Sequence, residues 1–509
     1  MSRTVDVVVI GAGPVGENVA DRAVQGGLSV ALVEAELVGG ECSYWACMPT
    51  KALLRPAHAL AAASRVPGAR EAITGTLDPA AAFAFRDQVA SGWDDTGQVS
   101  WLEGAGIDLV RGHGRLTGER TVEVTNDGAV HVLHARHAVV VATGSTPVIP
   151  DLPGLTAAHP WTTREAISTS VVPKRLAILG GGMVASEFAT MFTALGSSVT
   201  VLVRGDALLA SLEPFAGERV AAALRESGAE VRVRIGITQV NRAASSGPLT
   251  LELSDGSHLE VDELLLATGR RPATIDLGLD SQGLTHLGLQ PGQVLATDDT
   301  LRVMAADHTP IPWLYAAGDV NGRALLTHQG KYQARAAGDV IAARANGTRV
   351  DDAPWGAHVA TADHGAVPSV VFTDPEVATV GLTAAQAQAQ HRSVRVVDYD
   401  LGWIAGATVT AENYQGQARF VVDTERQVLL GATFVGQDVA ELLQAATFAV
   451  VGQIPLHRLW HAVPAYPTLS EVWLRLLETL GRESAITPEQ NCPNPSGRSH
   501  AALPTAPRG

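Results

Sequence analysis

Cysteine, charged residues and aromatic residues are all scarce in this sequence. Its 509 residues include 3 Cys, 17% charged residues and 5% aromatic residues. So few thiols exclude a small secreted scaffold held together by disulfides. No apolar run approaches the ~18 residues of a membrane-spanning helix, and a formal net charge of −15 opposes binding to nucleic acid. We therefore expect a cytoplasmic protein with neither a membrane nor a nucleic-acid partner.

The sequence is instead rich in small and apolar residues. Hydrophobic residues make up 46% of the chain, which also contains 51 Gly. This composition allows large buried cores and excludes a chain that is disordered throughout. At roughly 100–200 residues per domain, the length predicts three or four domains.

Two stretches of the chain repeat a pattern of strand, glycine-rich turn and helix. In the first, a strand over residues 7–10 leads into Gly11, Gly13 and Gly16, and a second strand follows over residues 29–33. In such a βαβ unit the first glycine makes the tight turn and the second lets the backbone approach a pyrophosphate. The third keeps helix and strand close, and the helix N-terminus offers free N–H groups. The pattern predicts a dinucleotide site.

The second copy of this pattern begins after residue 175. A strand over residues 176–179 leads into Gly180, Gly182 and Ala185, and the next strand covers residues 198–203. The small Ala185 stands where the first copy has its third glycine. Two nucleotide sites in one chain indicate a flavoprotein that also uses a nicotinamide, rather than a simple dehydrogenase.

Two of the three cysteines lie close together, just after the first unit. Cys42 and Cys47 are five positions apart, a spacing that can close a disulfide if the local turn is bent. If Cys47 lies near a helix N-terminus, the helix dipole favours its thiolate, and nearby Lys51 adds positive potential. Beside a flavin, such a thiolate can donate electron density to the ring or attack it. We interpret this segment as a redox centre.

The order of these features resembles the class I pyridine nucleotide–disulfide oxidoreductases, which include glutathione reductase, dihydrolipoamide dehydrogenase and mercuric reductase. The resemblance covers residues 4–480. Besides the two glycine-rich turns, it rests on the motifs Gly39-Gly40-x-Cys42-x4-Cys47-x-Pro49-x-Lys51, Ala142-Thr143-Gly144-Ser145, Ala267-Thr268-Gly269-Arg270-Arg271-Pro272, Tyr315-Ala316-Ala317-Gly318-Asp319 and Val370-Val371-Phe372-Thr373-Asp374-Pro375-Glu376.

The resemblance implies an α/β fold with two doubly wound, Rossmann-like dinucleotide-binding domains and a C-terminal α+β dimerisation domain. It also implies a homodimer. The expected boundaries are 1–150 for the first part of the FAD-binding domain, 151–280 for the NAD(P)-binding domain, 281–350 for the central FAD-binding part, 351–481 for the dimerisation domain and 482–509 for a flexible tail.

The resemblance also implies a set of cofactor contacts. FAD is expected on the first unit, with Glu34 hydrogen-bonding the adenosine ribose and Asp319 reaching the ribityl chain. Lys51 and Glu187 are expected to pair beside the flavin. The full set of expected FAD and NAD(P) contacts is Gly11, Gly13, Gly16, Glu34, Gly40, Thr143, Gly144, Gly180, Gly182, Arg204, Gly269 and Asp319.

The same resemblance assigns different roles to the two cysteines. Cys47 is expected to be the charge-transfer thiol against the flavin, and Cys42 the interchange thiol that faces the acceptor. Electrons would pass from NAD(P)H to FAD, then to the Cys42–Cys47 disulfide, then to the acceptor. Trp45 between them is bulkier than the residue that the family usually has there.

The end of the second strand of the second unit indicates which nicotinamide is used. An acid at this position would bind the 2′-hydroxyl of NAD, whereas a nearby Arg accepts the 2′-phosphate of NADP. The position equivalent to Glu34 is Val203, and Arg204 follows it. We therefore expect NADPH rather than NADH, although Ala210 stands where glutathione reductase leads us to expect a second basic residue.

The acceptor end of the sequence departs from the family pattern. Disulfide reductases of the family end in His-Pro-Thr-x-x-Glu, contributed by the partner subunit, whereas this chain has Tyr466 at the His position and retains Glu471. The phenol, with a reference pKa of ~10 against ~6.5 for His, is a poor base near neutral pH. Its presence predicts slow exchange with dithiols, unless His461, five residues upstream, substitutes for the missing base.

Three functions are compatible with this pattern. The first is a disulfide reductase, and the second is a reductase of metal ions or quinones that needs no acid–base His. Mercuric reductase also has a Tyr near this position, but its C-terminal pair of vicinal cysteines is reduced here to Cys492. The third, a redox sensor with little turnover, has no need of the dithiol. No His, Cys or carboxylate cluster has the spacing of a structural metal site.

Overall fold

The computed structural model describes residues 2–243 and 247–482. Cys492 and, except for Arg482, the expected tail over residues 482–509 lie outside the described residues. The first region contains β1 (Ser2–Ile10), α1 (Pro14–Gln25), β2 (Val30–Glu34), α2 (Gly40–Tyr44), α3 (Cys47–Ser64), α4 (Pro79–Val89), α5 (Thr96–Gly104), β3 (Asp108–Arg111), β4 (His113–Gly118), β5 (Thr121–Asn126), β6 (Ala129–Val141) and β7 (Ser145–Pro147).

The middle of the chain continues the alternation of helices and strands. Its elements are α6 (Thr163–Ser168), β8 (Arg175–Leu179), α7 (Met183–Ala194), β9 (Ser198–Val203), α8 (Pro214–Glu226), β10 (Glu230–Val233), β11 (Ile237–Arg242), β12 (Leu249–Leu253), β13 (His258–Val261), β14 (Glu263–Leu266), β15 (Arg270–Pro272), β16 (Arg302–Met304), β17 (Pro310–Ala316) and α9 (Thr327–Ala345).

The last region contains mainly antiparallel strands and short helices. They are β18 (Pro368–Val371), β19 (Glu376–Gly381), α10 (Ala384–Ala389), β20 (Val394–Asp400), α11 (Ala405–Thr410), β21 (Gln417–Asp423), β22 (Val428–Gly436), α12 (Leu443–Val451), α13 (Leu456–Leu459) and α14 (Val472–Leu480).

The first sheet has a parallel part in the order β17-β6-β1-β2-β3. Strand β16 is antiparallel at the β17 edge, and β4 and β5 extend the sheet by antiparallel pairing of β5 with β6. Strand β1 can lie at its centre because Val7, Val8 and Val9 are fully buried, as expected of a parallel strand with both faces covered. Helices α1 and α9 cover one of these faces. The sheet combines elements far apart in sequence, since β17 pairs with β6. Because the central strands run parallel, their carboxyl ends meet at one edge of the sheet.

The second sheet repeats this arrangement in the order β10-β9-β8-β14, all parallel. The turn after its first strand also has the same geometry. Gly11 has φ 101° and Gly180 φ 141°, a conformation that disfavours side chains. A Cβ would lie 2.5 Å from the Ala142 carbonyl oxygen at the first position and 2.2 Å from that of Ala267 at the second.

The C-terminal sheet is antiparallel in the order β18-β19-β22-β21-β20. Helices α12 and α14 pack on it around Phe420, Phe434 and Trp473, and the rings of Phe420 and Trp473 are 4.9 Å apart. The predicted fold class, two Rossmann-like domains and an α+β dimerisation domain, is therefore confirmed. Within the described part of the chain, the search for a helix long and apolar enough to cross a membrane finds none.

Candidate active site

A cavity of about 640 Å³ opens at the carboxyl ends of β1, β2 and β6. This volume is within the ~300–1,000 Å³ usual for cofactor sites. The predicted FAD contacts that line it are Gly11, Gly13, Glu34, Gly40, Thr143, Gly144 and Asp319, and Cys42 and Thr327 also border it. Gly16 and Gly269 are not among the lining residues. Gly16 instead allows close packing beneath the turn, because its Cβ would lie 1.8 Å from the Gly11 oxygen.

Glu34 ends β2 with its carboxylate inside this cavity. Its two oxygens accept hydrogen bonds from the backbone N–H groups of Ala12 at 2.7 Å and Glu36 at 2.8 Å. Burial raises the pKa of Glu34, and the two N–H groups act in the opposite direction. The carboxyl group is thus held in one place at the strand end.

Asp319 enters the cavity from the turn after β17. Its carboxylate accepts a hydrogen bond from the hydroxyl of Ser145, and burial raises its pKa. Arg270 donates to the Ser145 hydroxyl at 2.7 Å and to the Ser145 carbonyl at 2.6 Å. Sequence reasoning assigned no role to Ser145 or Arg270, although both belong to the motifs that carried the resemblance.

The cavity has the features that bound FAD requires. The Gly11 turn has no room for a side chain, so backbone can approach a pyrophosphate there, next to the N-terminus of α1. Glu34 offers a fixed carboxylate to a ribose, and Asp319 lies further along the same cavity. The residues present therefore fit FAD.

Cys42 and Cys47 lie on two different helices, and Cys42 lines this cavity. Cys42 is in α2, and Cys47 is the first residue of α3, where the N-terminal dipole favours a thiolate. Both are unbonded thiols. The hydroxyl of Thr327, at the start of α9, is 3.3 Å from the Cys47 sulfur.

The environments of the two sulfurs shift their pKa values in opposite directions. A hydrogen bond from Cys42 lowers the pKa of Cys47 below the ordinary thiol value. Burial raises this pKa, whereas the hydrogen bond with Thr327 and the positive charge of Lys51 lower it further. The hydrogen bond between the two thiols, together with burial, raises the pKa of Cys42. These opposite pKa shifts favour Cys47 as the more acidic of the two thiols.

Lys51 is one turn along α3 from Cys47 and pairs with Glu187 of α7. Their atoms Nζ and Oε2 are 2.7 Å apart, and the Glu187 side chain is buried. The other oxygen of Glu187 accepts a hydrogen bond from the Phe372 backbone at 3.0 Å. Elements of the two nucleotide-binding domains and the dimerisation domain thus meet next to the thiols.

The second unit places Gly180, Gly182 and Arg204 outside this cavity, around the ends of β8 and β9. Arg204 is exposed. Arg234 follows β10 and is next to it, since Val233 pairs in register with Val203 and the Arg234 N–H bonds to the Gly205 carbonyl at 2.9 Å. Sequence reasoning missed Arg234 because β10 is remote in the chain from β9.

Tyr466 and Glu471 are close in sequence but have different environments. The Tyr466 side chain is 76% exposed, whereas Glu471 is buried. Glu471 accepts a hydrogen bond from Arg475 at 2.6 Å and another from the Ala405 backbone at 3.3 Å. His461 is exposed. Within the described residues, no hydrogen bond therefore links the Tyr466 side chain to Glu471.

Comparison with known proteins agrees with this geometry. The family model described as pyridine nucleotide-disulphide oxidoreductase matches residues 5–339, and that of the family's dimerisation domain matches residues 367–476. The chain is 30% identical over 470 residues to mercuric reductase of Staphylococcus aureus, covering 92% of this chain and 80% of that protein. It is 31% identical over 480 residues to dihydrolipoyl dehydrogenase of Chlamydia trachomatis, covering 93% and 96%.

Among solved structures, the Cu(II) complex of the HOCl-induced flavoprotein disulfide reductase RclA from Escherichia coli has the same fold. It superposes with a TM-score of 0.79 at 24% identity, covering 94% of this chain and 100% of that chain.

The chain therefore belongs to the pyridine nucleotide-disulphide oxidoreductase family. It is an NAD(P)H-dependent FAD enzyme of the dihydrolipoamide dehydrogenase and mercuric reductase type, as the sequence predicted. Its matched dimerisation domain implies a homodimer.

Proposed function

We propose that this enzyme passes electrons from NADPH through FAD to a Cys42–Cys47 disulfide, and from there to a small disulfide or related acceptor. The observation that carries the proposal is the placement of Cys47 at the N-terminus of α3, with its sulfur 3.3 Å from the hydroxyl of Thr327, a residue that lines the cavity together with Cys42. Bound FAD supplies the hydride and electron chemistry.

The residues around the thiols have separate tasks in this proposal. Cys47 holds the negative charge of the reduced pair next to the cavity, stabilised by Lys51. Cys42 carries the proton and attacks the acceptor after losing it, because a thiolate is the nucleophile in exchange. Glu187 holds Lys51 in place through the 2.7 Å ion pair.

Anaerobic reduction followed by visible spectroscopy tests these roles. We expect a long-wavelength thiolate-to-flavin band in the two-electron-reduced enzyme, retained in Cys42→Ser and lost in Cys47→Ser. Lys51→Met should move the appearance of this band to higher pH, because removing the positive charge raises the pKa of Cys47. If the flavin bleaches directly and the thiols do not exchange, the proposal is wrong.

The preference for NADPH is supported by the two guanidinium groups at the ends of β9 and β10. Arg204 is exposed. The Arg234 side chain is 77% exposed, and its guanidinium group pairs with the exposed Asp206 at 2.7 Å. No carboxylate occupies the position of Val203 to repel a phosphate. Guanidinium groups bind phosphate strongly and in a bidentate manner.

Steady-state kinetics with both nicotinamides test this preference. Arg204→Ala and Arg234→Ala should each raise KM for NADPH roughly tenfold, as expected from the loss of a hydrogen bond to a charged group, and leave KM for NADH unchanged. Arg232→Ala is the matched control, because Arg232 lies on β10, two residues before Arg234, and pairs with Glu230. A wild-type preference for NADH would refute the assignment.

A metal ion is the second candidate acceptor. Tyr466 offers an exposed phenol where a disulfide reductase needs a base, and the mercuric reductase of Staphylococcus aureus is a relative. Tyr466→His should raise turnover of lipoamide or oxidised glutathione by about 10²-fold if the missing base limits it, and Tyr466→Phe should not. Fast reduction of Hg(II) by the unaltered enzyme, with no gain in Tyr466→His, would favour the metal ion.

A further inference from the structure

The two cysteines of the redox pair lie in consecutive helices that are linked by a two-residue segment, which we call the joint. Cys42 lies in α2, Cys47 begins α3, and the joint consists of Trp45 and Ala46. Ala46 has φ −134° and ψ −101°, far from helical values. The separation of the two sulfurs therefore depends on how this joint is held.

The joint is anchored on one side by the protein interior. The Tyr44 ring, at the end of α2, is buried, and its hydroxyl donates to the Val38 carbonyl at 3.0 Å. The neighbouring Trp45 ring is covered instead by a guanidinium group, that of Arg164, with its central carbon 4.3 Å from the ring centroid. An arginine stacked on an indole in this way is attracted by the ring quadrupole.

Arg164 comes from a rigid element outside the redox segment. It is the second residue of α6, a helix begun by a capping box in which Thr162 and Glu165 exchange hydrogen bonds. The capping box fixes the start of α6 and so the point from which the Arg164 side chain extends.

The same guanidinium group also holds the residue before Cys42. It donates to Glu41 and, in bidentate fashion, to Glu36 at 3.1 and 2.7 Å. Glu41 also accepts a hydrogen bond from a second arginine, Arg270, at 3.3 Å. The planar fork of an arginine can serve two carboxylates and a ring face at once, which a lysine ammonium cannot do.

We propose that Arg164 is a positioning residue that holds Glu41 and Trp45, on either side of Cys42, and so keeps the two sulfurs at the separation a disulfide needs. A disulfide tolerates a narrow range of Cα separations. With the joint released, the disulfide loses stability relative to the dithiol. This inference rests on the proposed role of Cys42 and Cys47 as the redox pair.

The test is the dithiol–disulfide equilibrium of the FAD-loaded enzyme in buffers of reduced and oxidised dithiothreitol, without nicotinamide. In this exchange dithiothreitol loses two electrons and two protons and closes its own disulfide. The protein disulfide gains the two electrons, one proton goes to Cys42 and the other is released to the solvent, because Cys47 stays a thiolate. Free thiols are then alkylated and counted. Arg164→Ala should shift the equilibrium about tenfold towards the dithiol, equivalent to about 30 mV.

Two further variants separate positioning from general loss of structure. Trp45→Ala should shift the equilibrium in the same direction. The double variant should shift it no further than Arg164→Ala alone, because Arg164→Ala already removes the contact with Trp45. Arg164→Lys keeps a charge for Glu41 but lacks the planar fork, so it should recover part of the shift. Arg175→Ala is the matched control, since Arg175 also bridges two carboxylates, Glu260 and Asp262, and it should leave the equilibrium unchanged.

The outcomes distinguish this inference from the proposed function. If the unaltered enzyme forms no Cys42–Cys47 disulfide, the redox role itself fails. If it forms the disulfide and neither Arg164→Lys nor Trp45→Ala shifts the equilibrium, the positioning role is wrong, whether or not Arg164→Ala folds. An equal shift in Arg175→Ala would also overturn it.

Discussion

The two dinucleotide-binding units of this enzyme share a backbone but differ at the ends of their second strands. Each has a glycine with positive φ packed against the carbonyl of a neighbouring strand. In the first unit β2 ends in the half-buried Glu34, whereas β9 of the second ends in Val203 followed by the exposed Arg204. In both units the backbone leaves room for a dinucleotide, and the units differ in the side chain at the end of the second strand, to which the proposal assigns the choice of nicotinamide.

The two strand ends also differ in how firmly their side chains are held. Both oxygens of Glu34 accept backbone hydrogen bonds inside the cavity. Arg234, next to Arg204, pairs with an exposed carboxylate, that of Asp206. A preorganised group suits a cofactor that stays bound, and exposed guanidinium groups suit one that exchanges at every turnover.

The largest effect should come from filling the glycine turns. Gly11→Ala forces a Cβ to 2.5 Å from a carbonyl oxygen at φ 101°, and backbone strain of this kind is worth ~1–3 kcal/mol, so FAD affinity should fall up to roughly 10²-fold. Gly180→Ala should leave FAD content unchanged and lower kcat/KM for NADPH by a similar factor. Flavin absorbance per protein and stopped-flow reduction measure the two effects.

Two glycines serve as controls for this pair of variants. Gly27 has φ 85° and Gly196 φ 98°, yet nothing lies within 4 Å of a Cβ at either position. Their Ala variants carry the backbone strain without the collision and should retain both cofactor functions. Loss of FAD from Gly180→Ala would show that the units do not act independently.

An intermediate effect is expected at the end of β2. Glu34→Ala removes the acceptor of two backbone N–H groups as well as the group offered to the ribose. Charged hydrogen bonds of this kind contribute ~1.5–3 kcal/mol, so FAD affinity should fall roughly 10- to 100-fold in titrations of the apoprotein. Glu34→Gln keeps one acceptor oxygen, so its FAD affinity should lie between those of the unaltered protein and Glu34→Ala. Equal affinity in all three proteins would contradict the assignment.

The smallest effect is expected at the end of β10. Asp206→Asn releases Arg234 from an exposed ion pair, and such pairs contribute ~0.2–1 kcal/mol, so KM for NADPH should fall about twofold while KM for NADH is unchanged. Glu230→Gln, which releases Arg232 on the same strand, is the control. A higher KM for NADPH in Asp206→Asn would mean that the ion pair holds Arg234 in its binding position.

Much of the fold and part of the candidate site were readable from the sequence. The two βαβ units were predictable because strand, turn and helix are contiguous, and the apolar runs of β1 and β8 mark strands buried on both faces. Cys47 begins α3, which meets the condition under which the sequence predicts an acidic thiol at this position. Helices α12 and α14 are each preceded by a 3₁₀ turn, at Ala440–Leu442 and Leu469–Glu471.

What the sequence determined by itself was local: the glycine turns, the spacing of Cys42 and Cys47, and the absence of an acid at Val203. Only the tertiary structure brought Thr327 to Cys47, across 280 positions of the chain, and Arg164 to Trp45 and Glu41. Backbone conformation follows from neighbouring residues, so local patterns reveal it. Contacts between distant side chains depend on strand order and helix packing, which bring together residues that no local pattern relates.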